Sequence, residues 1–193
     1  FRRVLFRSKI ANPLVWIPYT MNQSAAGIFK LKEKQFFVLD YSLPGSGILY
    51  YDKDKPSQST YRSINLNFPF PLLKGAMNPA DGLAYFTGFK IWGSKGDKIS
   101  GLGRLVPKKI QEIQQVLHFK EGVYLKYKNE LSSNFLSPAN YTLSRWNITR
   151  TYKYGSGHYK RDGASGEESL DMSSLSLSKD KKSLFIAIPD MQK

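Results

Sequence analysis

Short apolar runs alternate along this chain with clusters of turn-forming residues at roughly ten-residue spacing and almost no 3.6-residue period, a pattern that predicts strands and not helices. The best-specified stretch is 78–105. Asn78-Pro79-Ala80-Asp81-Gly82 is turn chemistry: proline fixes φ, Asp81 can bond its own backbone, and Gly82 takes the positive φ that other residues resist. Residues 83–89, Leu-Ala-Tyr-Phe-Thr-Gly-Phe, are aromatic and short and predict a strand packed on both faces. Residues 92–98 form a polar loop with one indole, and 101–106 return as strand. Turn, strand, loop, strand is the grammar of a β-meander or a propeller blade.

Upstream, residues 14–19 predict a buried strand stopped by Pro18, and 28–31 with 35–40 predict a hairpin closed by Lys32-Glu33-Lys34. Turns at 42–47 and 52–57 lead into strands at 48–51 and 61–66, so that two blades' worth of sheet precedes Val106. The composition shifts at Pro107-Lys108-Lys109, where 110–116 reads as a short helical turn or an irregular linker, and a domain boundary is placed near Pro107. Beyond it, strands are expected at 116–119, 122–128, 141–146, 173–178 and 183–188. Val123, Leu125 and Tyr127 alternate with Lys126 and Lys128, and Leu175 and Leu177 alternate with serines, so one face is buried and the other wet. The charged loop 178–183 joins the last two strands as a hairpin. This second segment suits a small immunoglobulin-like β-sandwich, expected to be truncated at Lys193. The fold class is therefore all-β, with 9–107 and 108–193 as its two parts.

Composition narrows the chemistry. The 193 residues are 41% hydrophobic and 14% aromatic, ample for a core. The absence of cysteine removes disulfides, thiolate catalysis, cysteine-ligated zinc and covalent c-type haem from this polypeptide. No run of about 18 apolar residues occurs, so no transmembrane helix is expected. Residues 1–8, FRRVLFRS, back-translate to the end of a common sequencing adapter and read as a sequencing or cloning scar; the alternative is a basic leader without a start methionine or cleavage site. Subtracting Arg2, Arg3 and Arg7 from the formal net charge of +14 leaves +11.

The order Trp16-Ile17-Pro18, 22–27 (NQSAAG), 78–85 (NPADGLAY), 88–94 (GFKIWGS) and 102–105 (LGRL) resembles the closing blades of a β-propeller in bacterial exported proteins of the soluble sugar (glucose or sorbosone) dehydrogenase type. The later runs 140–147, 154–160, 177–180 and 188–191 resemble the β-sandwich that follows such propellers. The resemblance implies a periplasmic or secreted parent that binds or oxidises sugars. It further implies pyrroloquinoline quinone or a cytochrome-type c-haem module as the parent's cofactor, and the remaining propeller blades as intramolecular partners. The chain departs from the family in having no Cys-x-x-Cys-His and no catalytic blades, so architecture carries over and activity does not.

Each candidate site residue has a second reading. Trp92, with Lys95 on the same loop, offers a stacking platform for a sugar ring or planar cofactor, or else an anchor for the loop, which the usual burial of Trp favours. Asn22, Gln23 and Ser24 offer hydrogen bonds at a propeller mouth, or a turn that satisfies its own backbone. Asp81, Asp40 and Asp97 lack the spaced ladder of a calcium loop and read as turn caps. His118 sits in an alternating strand and His158 in a loop, far apart and without a flanking carboxylate motif; a metal or Ser-His site is not expected. Glu167 and Glu168 are adjacent and point apart in an extended chain. Gly45-Ser46-Gly47 and Gly155-Ser156-Gly157 lack the strand-to-helix context of a phosphate loop, and the acceptor tripeptides at Asn140 and Asn147 are weak signals. No catalytic or metal-binding residue is assigned. Lysines and arginines interleaved with Tyr and Phe leave a polyanion, whether anionic polysaccharide or nucleic acid, as the alternative partner, although the cations mostly flank turns and wet strand faces.

Overall fold

The computed structural model describes residues 14–18, 21–43, 45–55, 59–64, 66, 68–106, 112–149 and 157–191. The chain divides into two compact units, Phe1–Lys108 and Lys109–Lys193. Both are built from strands, and the described residues contain no α-helix.

The first unit holds two antiparallel meanders. β1 (Ala25–Lys32), β2 (Gln35–Asp40), β3 (Gly45–Tyr50) and β4 (Thr60–Ile64) pair in sequence order. β5 (Lys74–Met77), β6 (Ala84–Phe89) and β7 (Ser100–Leu105) do the same. The β1–β2 turn is two residues long because Lys34 takes a left-handed φ of 61°, and irregular register at both ends of β1 adds twist.

One core joins the two sheets. Phe29 and Phe37 of the first sheet meet Phe86 of the second at centroid distances of 5.8 and 5.6 Å, and Phe68 and Phe70 from the connecting segment close the cluster with Leu39, Leu72 and Ala84. Each such ring pair contributes about 0.5–1.5 kcal/mol beyond its buried area. The sheets approach closely because small residues face these rings. A Cβ on Gly101 would lie 2.2 Å from the Phe70 ring, and one on Gly88 would lie 1.9 Å from the Pro71 carbonyl oxygen.

In the second unit, β8 (Ile113–Phe119) and β9 (Gly122–Tyr127) form a hairpin, and β15 (Ser183–Ala187) pairs on the far side of β9 and carries β14 (Ser174–Leu177) at the edge. The buried side chains Tyr127, Leu184, Ile186 and Ile188 are covered by Leu131, Phe135, Tyr141, Leu143, Leu170 and Met172. Two short 3-10 turns, Ser133–Leu136 and Pro138–Asn140, bring part of that cover. Two ribbons of two residues per strand complete the unit: β10 (Ser144–Arg145) with β13 (Glu168–Ser169), and β11 (Asn147–Ile148) with β12 (His158–Tyr159).

Several local expectations are corrected. Residues 14–18 form no strand, and Leu14 and Trp16 are exposed; Pro18 instead closes a turn whose carbonyl accepts from the Met21 and Asn22 amides. The strand expected at 141–146 is reduced to β10, because Tyr141 and Leu143 turn inward as core cover. The stretch after Leu66, which pattern alone left without an element, contains β5. Its alternation of Lys74 and Ala76 outward with Gly75 and Met77 inward is too small-residue-rich to stand out. Of the helical turn or linker read at 110–116, residues 113–116 are strand, and 107–111 lie outside the described residues, as do 1–8.

A loop cluster at one end of the first unit

The residues singled out in the loops of the first unit meet through one buried carboxylate and one buried phenol. Asp40, 1% exposed at the end of β2, accepts the backbone N–H groups of Gln23 (2.8 Å), Ser24 (3.2 Å), Ser42 (2.9 Å) and Leu43 (3.2 Å). It therefore ties the 22–24 loop to the turn that begins at Tyr41. The Tyr41 amide completes the link by donating to the Ser24 carbonyl at 3.0 Å.

Tyr41 then fixes the β6–β7 loop. Its buried hydroxyl accepts from the amides of Ile91 (2.6 Å) and Trp92 (2.8 Å) and donates to the Trp92 carbonyl (3.1 Å), which uses its full capacity of one donor and two acceptors. Its ring stacks on the Trp92 indole at 4.8 Å and 27°. Ser94 donates to the Tyr41 carbonyl at 2.7 Å, and the Lys95 amide donates to the Ser42 carbonyl at 2.9 Å. Trp92 itself remains 54% exposed, so its backbone is anchored while much of its ring faces solvent.

Asn22 is 7% exposed, with its amide donating to the Tyr61 hydroxyl at 3.4 Å and its Oδ1 buried without a partner. It stands inside the fold as a strut. Gln23 and Ser24 are half-buried, and Lys95 is exposed. The structure thus brings Trp92, Lys95 and residues 22–24 onto one turn. Asp81 is not among them, since it lies at the opposite end of β6. There it caps its turn, accepting from the Leu83 amide (2.9 Å) and the Tyr85 hydroxyl (2.8 Å), and the first of these bonds is the main reason its carboxyl is held below the usual range.

The second unit contains a polar cluster that sequence reading did not assemble. Glu167 accepts from Ser144 Oγ through one oxygen and bonds His158 Nδ1 through the other, each at 2.6 Å, while the imidazole stacks on Trp146 at 4.6 Å and 17°. These bonds, that from Ser144 first, hold the Glu167 carboxyl below the usual range. The carboxylate takes both hydrogen bonds, so the Ser144 hydroxyl is directed to it and not to the imidazole, unlike a nucleophile-and-base pair. Glu168 points the other way, into a clasp with Arg145 (2.7 Å) and Arg161 (3.2 Å), and both guanidinium groups also reach Asp190. The only advance signal was the adjacency of the two glutamates, which in extended backbone sends them to opposite sides. His118 is largely packed, and burial pushes its imidazole below the usual value. Among the described residues no group of three or more His, Cys, Asp or Glu side chains is placed to hold a metal ion, and no helix is long and apolar enough to cross a membrane. Comparisons with protein-family models, with curated proteins and with solved structures find no match.

Proposed function

We propose that this chain is a binding module in which Trp92 offers a platform to a sugar ring, within a larger exported protein that binds or oxidises sugars. The supporting observation is the mounting of the indole. Tyr41 holds the loop backbone at three hydrogen bonds and occupies one side of the ring, so an exposed indole is presented in a fixed orientation. A preorganised aromatic surface loses little entropy on binding and offers dispersion contacts to the apolar face of a sugar. Lys95 on the same loop, and Gln23 and Ser24 on the neighbouring one, supply hydrogen-bonding groups.

The architecture proposed to carry this site is a pair of propeller blades over 9–107, followed by an immunoglobulin-like sandwich over 108–193. Two sequential antiparallel meanders packed through an aromatic core support the first part. The four-stranded sheet with its covered face supports the second. Pyrroloquinoline quinone or a c-type haem belongs, on this reading, to other parts of the parent, and location in the periplasm or outside the cell follows from the same resemblance.

Titration with neutral oligosaccharides tests the site. The expected result is quenching of Trp92 emission that survives about 0.5 M NaCl, where exposed charge interactions are screened within a few ångströms, and that disappears in Trp92→Phe. Quenching that persists in Trp92→Phe, or binding only to anionic polymers with strong salt dependence, would overturn it in favour of a polyanion-binding module.

A further inference from the structure

The loop that carries Trp92 is pinned at both ends and open in the middle. On one side Tyr41 holds the Ile91 and Trp92 amides, and Ser94 donates to the Tyr41 carbonyl. On the other, the Lys98 amide donates to the Pro69 carbonyl at 2.7 Å, the Lys90 amide to the Ile99 carbonyl at 2.6 Å, and the Lys90 ammonium to the Gly96 carbonyl at 3.2 Å. Gly96 is buried so closely that a Cβ there would lie 3.0 Å from the Pro71 ring and 3.1 Å from the Phe70 backbone. Between these anchors, a Cβ on Gly93 would meet no atom within 4 Å. Among the described residues Tyr41 is the only ring stacked on Trp92, which stays 54% exposed. The indole is thus a rigid ledge, backed by Tyr41 and without a wall at Gly93.

A ledge selects ligands differently from a pocket. A free monosaccharide or a chain end is held by a concave site that buries most of its surface, and one face of one ring supplies only a small part of that burial. An internal residue of a polymer instead needs a surface that lets the chain enter on one side and leave on the other, which open space beside the indole allows. Because the loop is pinned, it cannot fold over a curved chain. A flat chain fits it: in a β-linked glucan of the cellulose type the ring substituents are equatorial, leaving C–H faces for dispersion contact with the indole. The α-linkage of an amylose-type chain is axial at every residue and bends the chain away. Exposed Lys95, Asp97 and Lys98 on the same loop offer both donors and acceptors to the hydroxyl edges of such a ribbon. Neighbouring propeller blades pack against sheet faces, so a loop joining two strands stays on the rim. Given the sugar-platform reading, on which this rests, we propose that the ledge takes internal residues of an extended, cellulose-type β-linked chain and not free sugars or chain ends.

The experiment titrates Trp92 emission of the full chain with four sugars: glucose, cellohexaose, cellohexaose whose reducing end has been converted to an alditol, and maltohexaose. Cellohexaose is expected to bind at least about tenfold more tightly than glucose and about fivefold more tightly than maltohexaose, and capping its end to change affinity by less than about twofold. Gly93→Ile builds a wall where the structure has open space, so it is expected to weaken cellohexaose binding by about fivefold with the thermal midpoint unchanged. Glucose or maltohexaose binding as tightly as cellohexaose, loss of binding on end capping, or full cellohexaose affinity in Gly93→Ile would each overturn the chain proposal and leave the platform reading standing. If none of the four sugars gives quenching that Trp92→Phe removes, the platform reading itself fails and this proposal falls with it.

Discussion

At the residue scale, Asp40 and Tyr41 are consecutive in sequence yet act on different loops, because successive residues at a strand end point to different sides. Tyr41→Phe keeps the ring stacked beneath Trp92 but leaves the Ile91 and Trp92 amides without their acceptor. The expected cost is about 1–2 kcal/mol, measured by urea unfolding, together with weakened quenching of Trp92 by sugar. Asp40→Asn replaces a carboxylate that accepts four amides with a group having one acceptor oxygen. A larger loss, about 2–3 kcal/mol, is expected from the lost charge-assisted bonds. Gly88→Ala places a methyl against the Pro71 carbonyl at 1.9 Å, and since that neighbour is buried backbone it cannot swing away. The destabilisation belongs at the upper end of the ~1–3 kcal/mol seen for overpacking, read as a lowered unfolding midpoint. The glycine itself was visible in the sequence; the carbonyl that requires it was not.

At the element scale, the small ribbons β10–β13 and β11–β12 depend on side chains more than on their few ladder bonds. Glu167 joins β10 to β12 through Ser144 and His158, and Glu168 joins β13 to the 161 turn and to the C-terminal Asp190 through two arginines. Both carboxyls are held below the ordinary glutamate value of 4.5, Glu167 first by the Ser144 hydroxyl and Glu168 first by the Arg161 amide. A folded value below the unfolded one gives stability that is complete above 4.5 and is lost as the pH falls through the depressed folded value. Thermal midpoints are therefore expected to drop on acidification below that point, and Glu167→Gln to flatten part of the drop. His118 has a separate window: burial lowers its folded value from 6.5, so the unfolded chain takes the proton first and stability begins to decline below 6.5. A midpoint that stays level from neutrality to pH 3.5 (about one unit below the ordinary glutamate value) would contradict both assignments.

At the scale of the whole molecule, the formal net charge is +14, and the lysines and arginines among the described residues are spread over turns and wet strand faces, which sets how they meet a generic polyanion. Binding to a heparin fragment is expected to fall linearly in log affinity with log salt, while single alanine substitutions of Lys30, Lys53, Lys126 or Lys179 each change it by no more than about twofold; isothermal titration across a salt series checks both. Alternation and turn chemistry alone established that the chain is all-β, the places of six of the seven strands of 25–105, though β1 and β3 each begin three residues earlier than expected, at Ala25 and Gly45, and which side chains of β9 and β14 face inward, because a two-residue period reports directly on the two faces of a strand. They could not establish that β15 inserts beside β9, that the 22–24 and 91–96 loops share the Asp40–Tyr41 turn, or that Glu167 lies between Ser144 and His158. Those placements depend on partners 9 to 59 residues apart, and local periodicity carries no information about which edge or buried donor a group will meet. Only packing the sheets and loops of each unit around its own core decides it.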